Sequence, residues 1–189
     1  MISLVGLSGS LRRGSFNTSL LRAASELMPE GAHLTMGTIR SIPLYDADLE
    51  AAEGIPPPVI ELKEQIAASD GLMLATPEYN NSMPGVFKNA IDWLSRPPAD
   101  IKRVFGGKPV ALLGASPGGF GTVLSQNAWL SVLRYLGTRP WFEGRLLISR
   151  AHNVFDNETG IIRDGTVREQ LRQFVHGFVE FVRSPPAGP

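Results

Sequence analysis

Residues 6–19 of the chain read Gly-Leu-Ser-Gly-Ser-Leu-Arg-Arg-Gly-Ser-Phe-Asn-Thr-Ser. Three glycines, five hydroxyls, one amide and two arginines are concentrated in fourteen positions, directly behind an apolar run. A glycine-rich turn that opens a helix presents unpaired backbone N–H groups and the positive end of the helix dipole. The hydroxyls and the Asn17 amide add neutral donors, and Arg12 or Arg13 adds a charged fork. This donor set suits a phosphate. The same residues also fit a plainer role, a helix start capped by Ser15 with the arginines in solvent.

The spacing narrows the choice of phosphate. Gly9 and Gly14 have the separation of a triphosphate-binding loop, but Ser15 follows where a lysine is needed, and the first lysine of the chain is Lys63. The dinucleotide fingerprint Gly-x-Gly-x-x-Gly is absent from Gly6-Leu7-Ser8-Gly9. A single terminal monophosphate fits better, as on flavin mononucleotide (FMN), whose flat ring then needs a second support. Residues 76–84, Thr-Pro-Glu-Tyr-Asn-Asn-Ser-Met-Pro, offer an aromatic, two amides and a backbone held by two prolines, which suits the face and rim of a planar heterocycle. A rigid exposed turn is the alternative. Residues 115–122, Ala-Ser-Pro-Gly-Gly-Phe-Gly-Thr, allow close backbone approach to one end of such a ring, or simply lead into a helix.

Other candidate chemistry is weaker. His33, His152 and His176 have no metal-ligand spacing, and none is expected near the three loops, so they read as surface or packing residues. The hydrolase turn Gly-x-Ser-x-Gly is missing around Ser8 and Ser10. Lys88 and Asp92 stand one helical turn apart and read as a solvated ion pair.

Three such loops must be brought together by the elements around them. Residues 2–7, 71–75 and 109–114 are short continuous apolar runs, as in strands covered on both faces. Residues 33–39 and 140–148 read as further strands. Apolar spacing of three and four predicts helices from residue 15 to 28, from 59 to about 67, and over 86–94, 123–136 and 167–182. Pro29, Gly31 and Gly137 mark helix stops, and residues 42–46 form a proline-bent loop. Strand and helix alternate, which predicts an α/β fold with a doubly wound parallel sheet. Ligands of such sheets sit outside the carboxyl ends of the strands, and all three loops follow strands. No internal repeat or linker divides residues 1–183, read as one domain, and residues 184–189 read as a frayed tail.

Bulk composition excludes several classes. The chain has 189 residues, 43% hydrophobic and 19% charged, with 18 basic and 18 acidic side chains. Zero net charge argues against a nucleic-acid or polybasic membrane partner. No apolar run reaches the length of a membrane helix, and the start does not read as a signal peptide. Cysteine is absent, which removes disulfides, thiolate metal sites and cysteine nucleophiles. A cytoplasmic protein is expected.

Residues 9–17, Gly-Ser-Leu-Arg-Arg-Gly-Ser-Phe-Asn, resemble the phosphate loop of the NADPH-dependent FMN reductase family. Residues 77–85, Pro-Glu-Tyr-Asn-Asn-Ser-Met-Pro-Gly, with Lys88-Asn89-Ala90-Ile91-Asp92-Trp93 after them, are similar to that family's ring loop and the helix behind it. Residues 42–48 and 107–110 also match, and the bacterial quinone and chromate reductases are the nearest branch. The resemblance runs from residue 4 to about residue 137. It implies a flavodoxin-like five-stranded parallel sheet in the order 2-1-3-4-5 with one non-covalent FMN. It further implies that Ser10, Arg12, Ser15, Phe16, Asn17 and Thr18 surround the phosphate, that Pro77, Glu78, Tyr79 and Asn80 line the ring, and that Ser116 and Gly118 lie at its pyrimidine side.

The expected function is an NAD(P)H-dependent reductase, with NADPH or NADH as hydride donor and a quinone or similar acceptor, chromate, azo and nitro compounds included. FMN carries the chemistry, so no side chain is required as an acid or base, and Tyr79 is expected to stack or to supply a proton. No metal site is expected. The resemblance implies a homodimer or homotetramer. The alternative is a flavodoxin-type electron carrier with no substrate of its own. Such carriers generally steer by strong negative charge, which this chain lacks.

Overall fold

Along the first strand the side chains alternate between two cores. Leu4 joins one cluster, and Val5 and Leu7 join the other. The same two-residue period sends Met73 and Ala75 one way and Leu72 and Leu74 the other. A strand buried on both faces has no polar positions, which is why these segments read as unbroken apolar runs.

The computed structural model of the chain describes residues 1–184. Its elements are β1 (Ile2–Ser8), α1 (Phe16–Glu26), β2 (Ala32–Gly37), α2 (Ala47–Glu53), α3 (Pro57–Ala68), β3 (Gly71–Ala75), α4 (Gly85–Leu94), α5 (Ile101–Phe105), β4 (Pro109–Ala115), α6 (Val123–Tyr135), β5 (Arg139–Pro140), β6 (Leu146–Ile148), α7 (Ala151–Val154) and α8 (Gly165–Arg183). Ser184, the first residue of the expected tail, is held: its N–H and hydroxyl both donate to the Glu180 carbonyl, and its own carbonyl accepts from Arg139. The remainder of that expected tail lies outside the described residues.

The sheet is parallel and runs β2-β1-β3-β4-β5, the expected order, with β6 also paired to β4. The expected fifth strand over 140–148 is in two pieces. β5 pairs with the start of β4 through Pro109 and Val110, and β6 with its end through Leu113 to Ala115. Between them the chain bends to bury the Trp141 indole against Phe174 and Phe178 of α8, with ring centroids 5.0 and 5.7 Å away. Gly144 lies directly against that indole, where a Cβ would collide with it.

Helices cover both faces. Leu20, Leu21 and Ala24 of α1 pack with Leu171, Phe174 and Phe178 of α8 on one side. Leu62 and Ile66 of α3, Phe87 and Trp93 of α4, and Trp129 of α6 fill the other. Each large side chain buried in this way contributes about 1.5–3 kcal/mol. Side chains start two of these helices: the Ser15 hydroxyl accepts from Thr18 N–H, and the Asp164 carboxylate accepts from the N–H groups of Thr166 and Val167. Three helices had no sequence signal. α2, α5 and α7 have seven, five and four residues, too few to display a period, and α2 buries none of its side chains.

Candidate functional site

The ends of β1, β3 and β4 bring the three loops to one edge of the sheet, and four contacts lock them together. The N–H of Gly9 donates to the Ala75 carbonyl at 2.9 Å, and a Cβ at Gly9 would strike Phe87 and Pro77. Glycine at this position lets the first loop lie against the second. The Asn17 side chain, itself buried, makes two bonds to β4: its Nδ2 donates to Ala115 O at 2.8 Å and its Oδ1 accepts from Ala115 N–H at 2.9 Å. This pins the start of α1 to the root of the third loop. The Thr76 N–H donates to Leu113 O at 2.9 Å. The Glu78 carboxylate accepts from the N–H groups of Leu124 and Ser125 at 2.8 and 3.0 Å.

Glu78 therefore serves as the cap of α6, whose own N-cap residue, Thr122, makes no side-chain cap bond. Behind it, the Thr76 hydroxyl meets Ser125 Oγ at 2.7 Å and accepts from the Trp129 indole N–H at 3.1 Å. Trp129 stacks edge-on against Phe87 with centroids 4.9 Å apart. The second loop thus rests on a fully buried aromatic pair.

At its tip the second loop is a tight hairpin. Tyr79 and Ser82 exchange two backbone hydrogen bonds at 3.0 Å, and Asn80 and Asn81 between them both have positive φ, 49° and 62°. That is the type I′ geometry, and asparagine tolerates it better than other non-glycine residues. Neither the Asn80 nor the Asn81 N–H donates to another backbone group. Tyr79 is half exposed beside them. Asn89 of α4 holds the loop at residues 42–46 against this side, its Oδ1 accepting from Tyr45 N–H and its Nδ2 donating to Pro43 O, both at 2.8 Å. Trp93 Nε1 donates to the same carbonyl. Glu50 below it forms an ion pair with Arg96 at 2.8 Å, which holds its carboxyl below the usual range. Lys88 and Asp92 pair at 2.6 Å, as their spacing predicts.

In the first loop, Arg12 donates through Nη2 to Gly14 O at 2.5 Å, and its guanidinium lies 5.3 Å over the Phe16 ring. Phe16 in turn packs on Phe155. Thr18 donates to Ser8 Oγ at 2.9 Å, and Arg12 N–H to Ser10 Oγ at 3.3 Å. The first turn of α1 holds no acidic residue, and its leading amides, Phe16 and Asn17, have no intrahelical acceptor. In the third loop the Ser116 hydroxyl donates to Gly121 O at 2.6 Å, while a Cβ at Gly119, as at Gly14 of the first loop, would meet nothing within 4 Å. At Gly118 the nearest neighbour would be Ser116 Oγ at 3.6 Å, an ordinary contact. The backbone is open there.

Of the residues read as cofactor contacts, Ser10, Arg12, Ser15, Phe16 and Thr18 stand together on the first loop and α1. Pro77 to Asn80 form the second loop, and Ser116 and Gly118 the third. The Asn17 amide and the Glu78 carboxylate are engaged in joining the loops. His152 is exposed, as a surface residue is expected to be, on α7, whose start is bonded to the third loop through Arg150 N–H to Gly118 O and Ala151 N–H to Ser116 O. Among the described residues no cluster of three metal-ligating side chains occurs, and no helix is long and apolar enough to cross a membrane.

Sequence reasoning also missed a cleft of about 490 Å³ on the β2 side of the first loop, lined by Ser10, Arg12, Arg13, Arg22, Thr38 and Arg40 among others. Strand order was the available signal: β2 neighbours β1, so the residues after β2 must flank the loop after β1.

Comparison with known proteins agrees with this architecture. The profile of the NADPH-dependent FMN reductase family matches residues 2–153. An NAD(P)H-dependent FMN reductase of Pseudomonas aeruginosa is 45% identical over 182 residues, 96% of each chain. A quinone reductase of Escherichia coli is 37% identical over 187 residues, again 96% of each chain. The solved structure of FerB, a flavoenzyme NAD(P)H:(acceptor) oxidoreductase from Paracoccus denitrificans, superposes with a TM-score of 0.85 at 32% identity, covering 97% of this chain and 98% of its own. A flavodoxin from the domain Archaea shares the fold at a TM-score of 0.61 and 10% identity. With its profile spanning the sheet and all three loops, and with relatives of this identity along almost the whole length, the chain belongs to the NADPH-dependent FMN reductase family.

Proposed function

We propose that this protein is an FMN-dependent reductase that takes reducing equivalents from NADPH or NADH and delivers them to quinones. The observation that carries the reading is the locked edge of three loops, with no acid in the first turn of α1 and open backbone at Gly118 and Gly119.

The residues present fit FMN. A phosphate needs donors and no competing carboxylate, and the start of α1 supplies free amides, hydroxyls and Arg12 without an acid in its first turn. A ring needs backbone that can approach closely, and a Cβ at Gly118 or Gly119 would meet no close neighbour. In this reading Ser10, Arg12, Ser15, Thr18 and the amides of Phe16 and Asn17 hold the phosphate. Pro77, Glu78, Tyr79 and Asn80 bring backbone and one aromatic face to the ring, and Ser116 and Gly118 approach its pyrimidine side. When bound, FMN supplies a ring that accepts hydride and passes reducing equivalents onward. The protein's part is orientation. The Asn80–Asn81 turn shapes the tip of the second loop, Asn17 sets the distance from α1 to β4, and Glu78 holds the second loop to α6. Tyr79, half exposed, offers a stacking face to an incoming ring.

The purified protein is expected to be yellow, to release FMN on denaturation, and to oxidise NADPH or NADH when a benzoquinone is supplied. A colourless protein that fails to turn over either donor with added FMN and quinone overturns the assignment. We also read the protein as cytoplasmic and as a homo-oligomer. Support for assembly comes from α6, where Leu124, Leu130 and Tyr135 are exposed. Light scattering on the purified protein tests it.

A further inference from the structure

We propose that Phe155 is a positioning residue for the FMN phosphate, acting through the Phe16 ring to set the Arg12 guanidinium. The proposal rests on the FMN reading above.

Phe155 is buried, and its ring centroid lies 5.5 Å from that of Phe16 at an interplanar angle of 32°. Phe16 opens α1 and is half-buried, and the exposed Arg12 guanidinium lies 5.3 Å over its ring. Arg12, Phe16 and Phe155 therefore form one chain of contacts from solvent to core. Among the described residues the Arg12 side chain makes one hydrogen bond, from Nη2 to Gly14 O, so the Phe16 ring is its other restraint. The remaining N–H groups of the guanidinium stay free to donate to an anion. Leucine could fill much of the volume that Phe155 takes. A second ring adds a preference for particular ring orientations, and so fixes how Phe16 turns toward the guanidinium.

The segment that bears Phe155 is built to hold it there. Phe155 and Ile162 form an antiparallel bridge. The backbone closes on itself through Asp156 N–H to Ile161 O, Gly160 N–H to Asp156 O and Arg163 N–H to Val154 O, each at 2.8 Å. The Asp156 carboxylate accepts from the N–H groups of Glu158 and Thr159 inside the turn and pairs with Arg163. Gly160, at φ 73°, lies directly on α1, where a Cβ would come within 2.4 Å of Ser19 Oγ. Ser19 and Phe16 are three residues apart and share one face of the helix. The turn thus grips α1 at two points on that face, and one of them is the ring that restrains Arg12. At its other end the segment continues into α7, which is bonded to the third loop.

The test titrates the flavin-free full chain with FMN and with riboflavin, which differ only in the phosphate, by fluorescence quenching. The wild type should prefer FMN. In Phe155→Leu that preference should fall about three- to tenfold, all of it from weaker FMN binding, with riboflavin within about twofold of wild type. Phe16→Leu removes the middle ring and should lose a similar factor, which keeps the test open should Phe155→Leu not fold. In an Arg12→Ala background neither leucine change should lower the preference further. Equal weakening of both flavins would make Phe155 a packing residue and overturn the proposal. So would an unchanged preference in either leucine variant, or a loss that persists in full without Arg12. A wild type that binds neither flavin, or binds FMN no tighter than riboflavin, overturns the FMN reading itself. A wild type that prefers FMN beside variants that match it overturns the positioning role alone.

Discussion

Replacing Glu78 separates two roles that a carboxylate in a ring loop can have. Its oxygen accepts two backbone N–H groups of α6 at 2.8 and 3.0 Å, and α6 has no cap of its own. Loss of a cap costs about 0.5–2 kcal/mol. A negative charge at a helix N-terminus adds about 0.3–1 kcal/mol. Glu78→Ala should therefore lose about 1–3 kcal/mol, and Glu78→Gln, which keeps an acceptor but no charge, about 0.3–1 kcal/mol. For a chain of this length 1 kcal/mol moves the thermal midpoint by about 2–4 °C, so the alanine variant should melt about 2–12 °C lower. The assay is thermal unfolding of FMN-free protein followed by circular dichroism, paired with an FMN titration by fluorescence quenching. Because the cap also anchors the second loop, FMN affinity should weaken along with stability in the alanine variant and stay near wild type in the glutamine variant. An alanine variant that melts like wild type refutes the capping argument. One that keeps its stability but loses FMN affinity shows instead that the carboxylate meets the cofactor.

The other contacts give sharper expectations. Gly9→Ala forces a Cβ into Phe87 and Pro77; it should cost about 1–3 kcal/mol of overpacking and lower the FMN bound per chain, read by absorbance of the purified variant. Asn17→Ala leaves the N–H and carbonyl of Ala115 buried and unpaired, a loss of about 2–4 kcal/mol visible in the urea midpoint. Asp100 should give an acid limb to stability. Arg103, then Lys63, holds its carboxyl at about 2 against an ordinary 3.8. A depressed folded-state value means the stabilisation is complete above about pH 4 and is lost as pH falls toward 2. Glu169, lowered to about 2 by Arg172, adds to the same window. Asp100→Asn should therefore flatten only part of the decline, measured as the difference between wild-type and variant urea midpoints from pH 5 to 2. Equal slopes would remove the Asp100 contribution.

What the sequence made legible was whatever a single segment decides. β3 and the long helices α1, α6 and α8 are set by local period and by stops such as Gly137, and they lie within a few residues of expectation. The three loops were identifiable because Gly, Pro and Asn cluster for local backbone reasons. Relations between distant segments were not legible. Asn17 reads as a polar donor for a ligand, and nothing local reveals that Ala115, ninety-eight residues on, uses both ends of its amide. Glu78 looks solitary because its partners are backbone N–H groups at 124 and 125. Trp129 follows no motif, yet it braces the second loop through Thr76 and Phe87. The start of α7 is tied to the third loop by the backbone hydrogen bonds of Arg150 and Ala151, which local pattern cannot predict.

The split of the last strand bears on how copies of this chain can meet. Pieces of two and three residues on either side of a bend present no continuous row of amides and carbonyls along that margin. A neighbouring backbone has nothing there to extend, so the usual route by which an open sheet recruits a stranger into a growing ribbon is closed at that side. Among the described residues the longer exposed strand edge is the opposite margin at β2, whose six residues form an unbroken row.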